Sequence, residues 1–266
     1  REGKLGEVEL VKKVRTIATA VDWPCEVKTL FRQRNLGCGP AVKSAIDWFF
    51  EAESAGIILE DDTVPTKDFF DFCCELLKKY HDDDRVGMIA GTNHTVYKPD
   101  NASYVFSRNK ACWGWATWQR AWKNMDFDMT WRSTSQASSV KKNMGSTMRH
   151  FQHWENALRA IDTKLVNAWD WHWYFSIASQ NQLTIFPPVN LVSNIGFGND
   201  ATHTKGHNKT EYIKTSIIDF PLKHPKFICP DYDYDETFER VKMDGSRGIR
   251  KYIPQTLKRL LRAILR

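Results

Sequence analysis

Gly56-Ile-Ile-Leu-Glu-Asp-Asp-Thr-Val-Pro-Thr-Lys-Asp-Phe-Phe70 decides the fold class of this chain. Its first four residues are a short apolar run of the kind that forms a buried strand, and the run stops at three successive carboxylates, Glu60, Asp61 and Asp62. Thr66 supplies an N-cap oxygen, and behind it Phe69, Cys73, Leu76, Leu77 and Tyr80 recur at helical spacing. Val86-Gly-Met-Ile-Ala90 then returns as a second apolar strand. Strands separated by helices predict an α/β fold with a mostly parallel sheet flanked by helices, Rossmann-like in organisation. Ligands of such sheets sit beyond the carboxyl ends of the strands, and the acidic triplet lies at one of those ends.

The alternation continues on both sides of this stretch. Upstream, Leu10, Val14, Ile17 and Val21 mark a helix and Cys25 to Phe31 reads as a strand. Asn35-Leu-Gly-Cys-Gly-Pro40 is a turn, and Val42, Ala45, Ile46, Phe49 and Phe50 mark a second helix. Downstream, Phe151, Trp154, Leu158 and Ile161 belong to a helix, Asn167 to Trp173 opens another, and Leu183 to Val192 is a strand broken by Pro187 and Pro188. A nucleotide-binding α/β domain ordinarily opens on an apolar strand, whereas this sequence opens on the turn-like Arg1-Glu-Gly-Lys-Leu-Gly6. The first nucleotide-binding strand is therefore expected to be absent from these residues.

A chain of 266 residues with 42% hydrophobic content can bury a real core, which argues against disorder. No run of eighteen apolar residues predicts a membrane span. The six cysteines lack CxxC spacing, so neither a zinc site nor a disulfide framework is suggested, and a reducing compartment fits best. Nine of the eleven Trp fall between Trp113 and Trp173, which makes that region an aromatic core or a ring-binding surface.

Charge is distributed unevenly. Residues 247–266 carry seven basic side chains and no acid, and the other 246 residues are nearly balanced, so the net +6 resides in the tail. Ile253, Leu257, Leu260, Leu261, Ile264 and Leu265 recur there at helical spacing beside Lys258, Arg259, Arg262 and Arg266. This pattern predicts a basic amphipathic C-terminal helix that lies on an anionic membrane surface, placing the protein in the cytoplasm, peripheral at the inner face of the membrane. A charge confined to one apolar-striped tail argues against a nucleic-acid partner.

Three adjacent carboxylates raise one another's pKa unless a cation compensates, and hard oxygen ligands suit Mn²⁺ or Mg²⁺. A solvated acidic turn is the alternative. Asp170, within Trp169-Asp-Trp-His-Trp173, lies in the first turn of its helix, where it can serve as a general base or as a capping group. Trp113 and Trp115 flank Gly114, an arrangement in which one of the two, not both, is expected to stack on a sugar ring as an acceptor contact. Asn194 to Thr204 is a polar loop with Gly196, Phe197, Gly198 and His203, of a composition that can close over a diphosphate with the imidazole on a metal or phosphate.

The stretch Gly56 to Phe70 resembles the strand, metal motif and following helix of N-acetylglucosaminyltransferase I and its bacterial relatives. The likeness runs from about Asn35 to His207 and takes in Trp113-Gly-Trp115, Trp169-Asp170, Gly196-Phe-Gly198 and His203. It implies a GT-A fold over residues 1–246, with a donor half to about 107 and an acceptor half from about 108. It further implies that Asp62 binds the metal, that Glu60 and Asp61 meet the nucleotide-diphospho-sugar donor or order metal-bound water, and that Asp170 is the base of an inverting transfer. The acceptor hydroxyl would belong to a glycan or lipid-linked glycan, and Asn35 and Lys43 are weaker donor contacts. Two other functions fit the residues: a metal-dependent nucleotidyl or phosphoester enzyme, which would usually want a second metal-binding cluster, and a non-catalytic carbohydrate-binding domain.

Overall fold

A computed structural model describes residues 6–145, 147–196 and 214–245. Its centre is an open five-stranded sheet in the order β1 (Ala55–Ile58), β5 (Trp115–Trp118), β3 (Val86–Ala90), β6 (Leu183–Phe186) and β4 (Val105–Ser107). Helices cover both faces, so the chain is a mixed α/β protein. The expectation of a mostly parallel sheet is corrected: β3 and β6 pair in parallel, whereas the β1–β5, β3–β5 and β4–β6 ladders are antiparallel. β1, β3 and β6 do share one direction, as the strand–helix–strand reading requires. β4 and β5 both run against that direction; immediately before β5, Gly114 takes a φ of +66°, a conformation that favours glycine, where the chain enters the slot between β1 and β3.

Alternation along β5 explains how this insertion is tolerated. Trp115 points into a cluster with α2 (Cys38–Phe50), α4 (Gln119–Trp122), α6 (Met148–Asp162) and α7 (Trp169–Ser179), while Ala116 and Trp118 face α3 (Lys67–Lys79) on the opposite side. Thr66 caps α3 by accepting from the Phe69 amide at 3.3 Å, as its sequence position suggests. A short ladder of β2 (Thr63–Pro65) with β7 (Val192–Asn194) lies beside the main sheet, and α8 (Tyr232–Gly245) covers the β4 side.

The upstream region differs from expectation. α1 (Glu7–Thr19) forms but buries none of its residues, and Cys25 to Phe31 pairs with no strand among the described residues. An extended segment becomes a strand when its backbone finds a ladder partner. Arg15 tethers the two pieces, donating to the Arg32 carbonyl at 2.9 Å and lying 4.8 Å from the Phe31 ring. Among the described residues no helix is long and apolar enough to cross a membrane. The predicted amphipathic helix at 247–266 lies outside the described residues.

Candidate functional site

β1 delivers the acidic triplet to the edge of the sheet, and two devices hold it there. Thr63 Oγ1 donates to the Glu60 carbonyl at 2.8 Å and accepts from the Glu60 amide at 3.1 Å, closing a tight turn. The β2–β7 ladder continues into a bond from the Ile195 amide to the Asp62 carbonyl at 2.8 Å. The next residue, Gly196, approaches so closely that a Cβ there would lie 2.1 Å from Asp62 Oδ2. The start of the polar loop is thus anchored against the Asp62 carboxylate; Phe197, Gly198 and His203 lie outside the described residues.

The start of α7 closes the other side. Ala168 is its N-cap and contributes no side-chain bond, and the Trp169 indole donates to Glu60 Oε1 at 3.2 Å. Asp170 follows in the first turn, where the helix dipole favours an anion. Trp169 in turn stacks on Trp115, with ring centroids 5.6 Å apart.

The electrostatics of this pole are negative throughout. Burial pushes Glu60 up from the ordinary 4.5 to about 7, the Asp62, Asp170 and Asp61 carboxylates push the same way, and the Trp169 hydrogen bond opposes them. The Cys38 thiol at the α2 N-terminus is raised by burial and by the charges of Glu60 and Asp170. Cys112, whose Sγ lies 3.9 Å from Asp170 Oδ2, is raised by burial and then by Asp170 and Glu60.

Asp62 Oδ1 is buried without a hydrogen-bond partner. An orphaned carboxylate oxygen among mutually repelling acids fits a hard divalent cation. No group of three or more His, Cys, Asp or Glu able to hold a metal occurs among the described residues. Ions of the Mg²⁺ or Mn²⁺ type can be held by only one or two protein carboxylates when other ligands complete their shell.

On its other side Asp170 lines a cavity of about 240 Å³. Trp113, Trp171 and Trp154 supply aromatic wall, and His94, Lys110, His153 and Lys242 supply basic groups. Burial lowers the His153 imidazole to about 4, with His150 and Lys242 adding to it, and lowers the Lys110 ammonium to about 7 against the opposing pull of Asp235. His94 is held well below its usual range, first by burial and then by the Lys242 charge.

The sequence-predicted residues divide accordingly. Glu60, Asp61, Asp62, Asp170 and Gly196 meet at one pole, and Trp113 joins Asp170 in the cavity. Trp115 is fully buried beneath Trp169, which removes it from the pair of candidate acceptor contacts and leaves Trp113, the one that lines the cavity. Asn35 accepts from the Gly37 amide at 2.7 Å, which commits it to the turn before α2. Lys43 pairs with Asp47 at 2.5 Å, and Asp47 also accepts from the Trp122 indole, so Lys43 is engaged along its own helix. Cys38, Lys110, His94 and His153 escaped sequence reasoning, because an isolated titratable residue outside a motif carries no signal of what faces it.

Fold and site define a class: an open-sheet α/β protein in which a single carboxylate, Asp170, stands between an acidic pole at a strand end and an aromatic, basic cavity. In comparison with known proteins, no family model matches the chain and no curated protein matches it.

Proposed function

We propose that the protein is a metal-dependent glycosyltransferase of GT-A type, moving a sugar with inversion from a nucleotide-diphospho-sugar to an acceptor hydroxyl. The observation that carries this reading is the position of Asp170, which borders both the acidic pole and the cavity. A transfer between two substrates needs a base at their junction, within reach of the hydroxyl that attacks.

In this reading the donor diphosphate lies over Glu60–Asp62 and the acceptor occupies the cavity against Trp113 and Trp171. The acceptor oxygen forms a bond to the anomeric carbon as the bond from that carbon to the diphosphate oxygen breaks, and Asp170 takes the hydroxyl proton. A divalent cation at Asp62 supplies charge neutralisation for the departing diphosphate. The aromatic walls exclude water, which favours transfer over hydrolysis. Trp169 serves as a positioning residue, because its indole ties α7 to Glu60 and its ring rests on Trp115.

Nucleotide-sugar turnover is expected to stop with EDTA and to recover with Mn²⁺. Asp170→Asn is expected to lower kcat by about 10²–10⁴-fold, the usual contribution of a general base, while leaving nucleoside diphosphate binding in place. Undiminished transfer by that variant would remove Asp170 from the base role. Nucleoside monophosphate or pyrophosphate as the product would point to phosphoester chemistry instead.

A further inference from the structure

We infer that the cavity beside Asp170 is an oxyanion subsite, so that the acceptor carries a phosphate or carboxylate next to its reacting hydroxyl. The description of that ligand as an acceptor rests on the glycosyl-transfer reading; the oxyanion site itself rests on the basic groups.

Lys110 is 5% exposed. Its Nζ reaches the Asn143 carbonyl at 3.3 Å and Met144 Sδ at 4.0 Å, and no carboxylate lies within ion-pair distance among the described residues. A buried ammonium with so little compensation is costly, and an anion in the cavity would supply the missing partner. Lys242 reaches the same space from α8, at 5.8 Å from the Trp113 ring and 5.7 Å from the Phe238 ring, with Asp170 of the cavity wall among the charged groups that act on it. His94 lies edge-on to Trp113 and Phe238, at centroid distances of 5.3 and 6.0 Å, and His153 packs on His150 and Trp154. Both imidazoles retain ring nitrogens for a ligand.

The acids that act on Lys110 are already engaged. Asp235 accepts from Ser107, from the Arg108 amide and from Asn109. Glu239 accepts from Thr147 and faces His150 Nδ1 at 3.2 Å. His150 is itself committed, because its Nε2 accepts from the Trp154 indole at 3.1 Å. A neutral sugar would occupy the aromatic walls and leave Lys110 with no ion pair among the described residues. The volume of about 240 Å³ suits one sugar ring with a charged substituent better than an extended chain.

The test titrates the full chain with glucose 6-phosphate, glucuronate and glucose by calorimetry, and follows inorganic phosphate through the ring-proton resonances of His94 and His153. At least one charged sugar is expected to bind about tenfold more tightly than glucose, phosphate is expected to shift both imidazoles, and the advantage is expected to disappear in Lys110→Met. Lys242→Gln gives the same reading if Lys110→Met does not fold. Preference for the ester assigns phosphate, and preference for the uronate assigns carboxylate. Equal affinity for all three sugars, or an anion advantage untouched by both substitutions, overturns the inference. Nucleoside diphosphate binding with Mn²⁺, measured on the same samples, reports on the proposed function separately. Its absence beside a retained anion preference would remove glycosyl transfer and leave the oxyanion site standing.

Discussion

Glu60 couples the fold to the site through one proton. Its carboxyl is raised to about 7 by burial and by the neighbouring acids, so the folded state favours the protonated form. A group raised on folding contributes stability that is fully present below its ordinary 4.5 and is lost as pH rises through about 7. Glu60→Gln, which keeps the neutral form at every pH, should therefore match the parent near pH 4.5 and exceed it above pH 7. The expected gain is roughly 2–4 °C in Tm, after allowance for partial solvent screening. A Tm difference that does not grow between those pH values would contradict the electrostatic account. The same carboxyl would report on a divalent cation bound at Asp62, because a cation favours its ionised form. Mn²⁺ added to the parent at pH 6.5 in weak buffer should release protons, and the release should shrink in Glu60→Gln.

At the scale of elements, the site depends on how closely β3 and the segment entering β5 approach. The Gly91 amide donates to the Gly114 carbonyl at 2.8 Å, and a Cβ on Gly91 would lie 2.7 Å from that oxygen and 2.5 Å from the Phe69 ring. Gly91→Ala must push the reversal at Gly114 outward, at a cost of about 1–3 kcal/mol. Urea unfolding should record the loss. Because Trp113 adjoins Gly114, binding in the cavity should weaken with it, whereas stability unchanged by the substitution would refute the close packing. The helices α2, α3 and α6 were legible from their apolar spacing and, for α3, from Thr66. β5 was harder, since Trp115 to Trp118 is buried on both faces and lacks the alternation that marks a half-exposed strand. Cys25 to Phe31 has the composition of a strand, but pairing is a property of neighbours.

The whole molecule joins a nearly neutral body to a strongly basic tail at 247–266. We propose that this tail docks the protein on an anionic membrane surface, where a lipid-linked acceptor would be presented. Each basic residue near such a surface contributes about 1 kcal/mol, and the attraction weakens with salt. Removing residues 247–266 should abolish sedimentation with phosphatidylserine-containing vesicles at low salt, and equal sedimentation with and without the tail would exclude membrane docking. Above the residue scale the molecule is also divided by charge: acids gather at one strand end and bases in the adjoining cavity, with Asp170 between them.

The sequence by itself determined the α/β class, most helices, the end of β1 at Glu60 and the place of Asp170 in a helical first turn. These follow from local causes: apolar periodicity, capping oxygens and turn residues act within a few positions of the chain. Tertiary structure alone decided the antiparallel insertion of β5, the burial of Trp115, the raised Glu60 carboxyl and the gathering of His94, Lys110, His153 and Lys242 around one cavity. Strand pairing, desolvation and the mutual influence of charges depend on distances between residues far apart in the chain, and those distances exist once the core has packed.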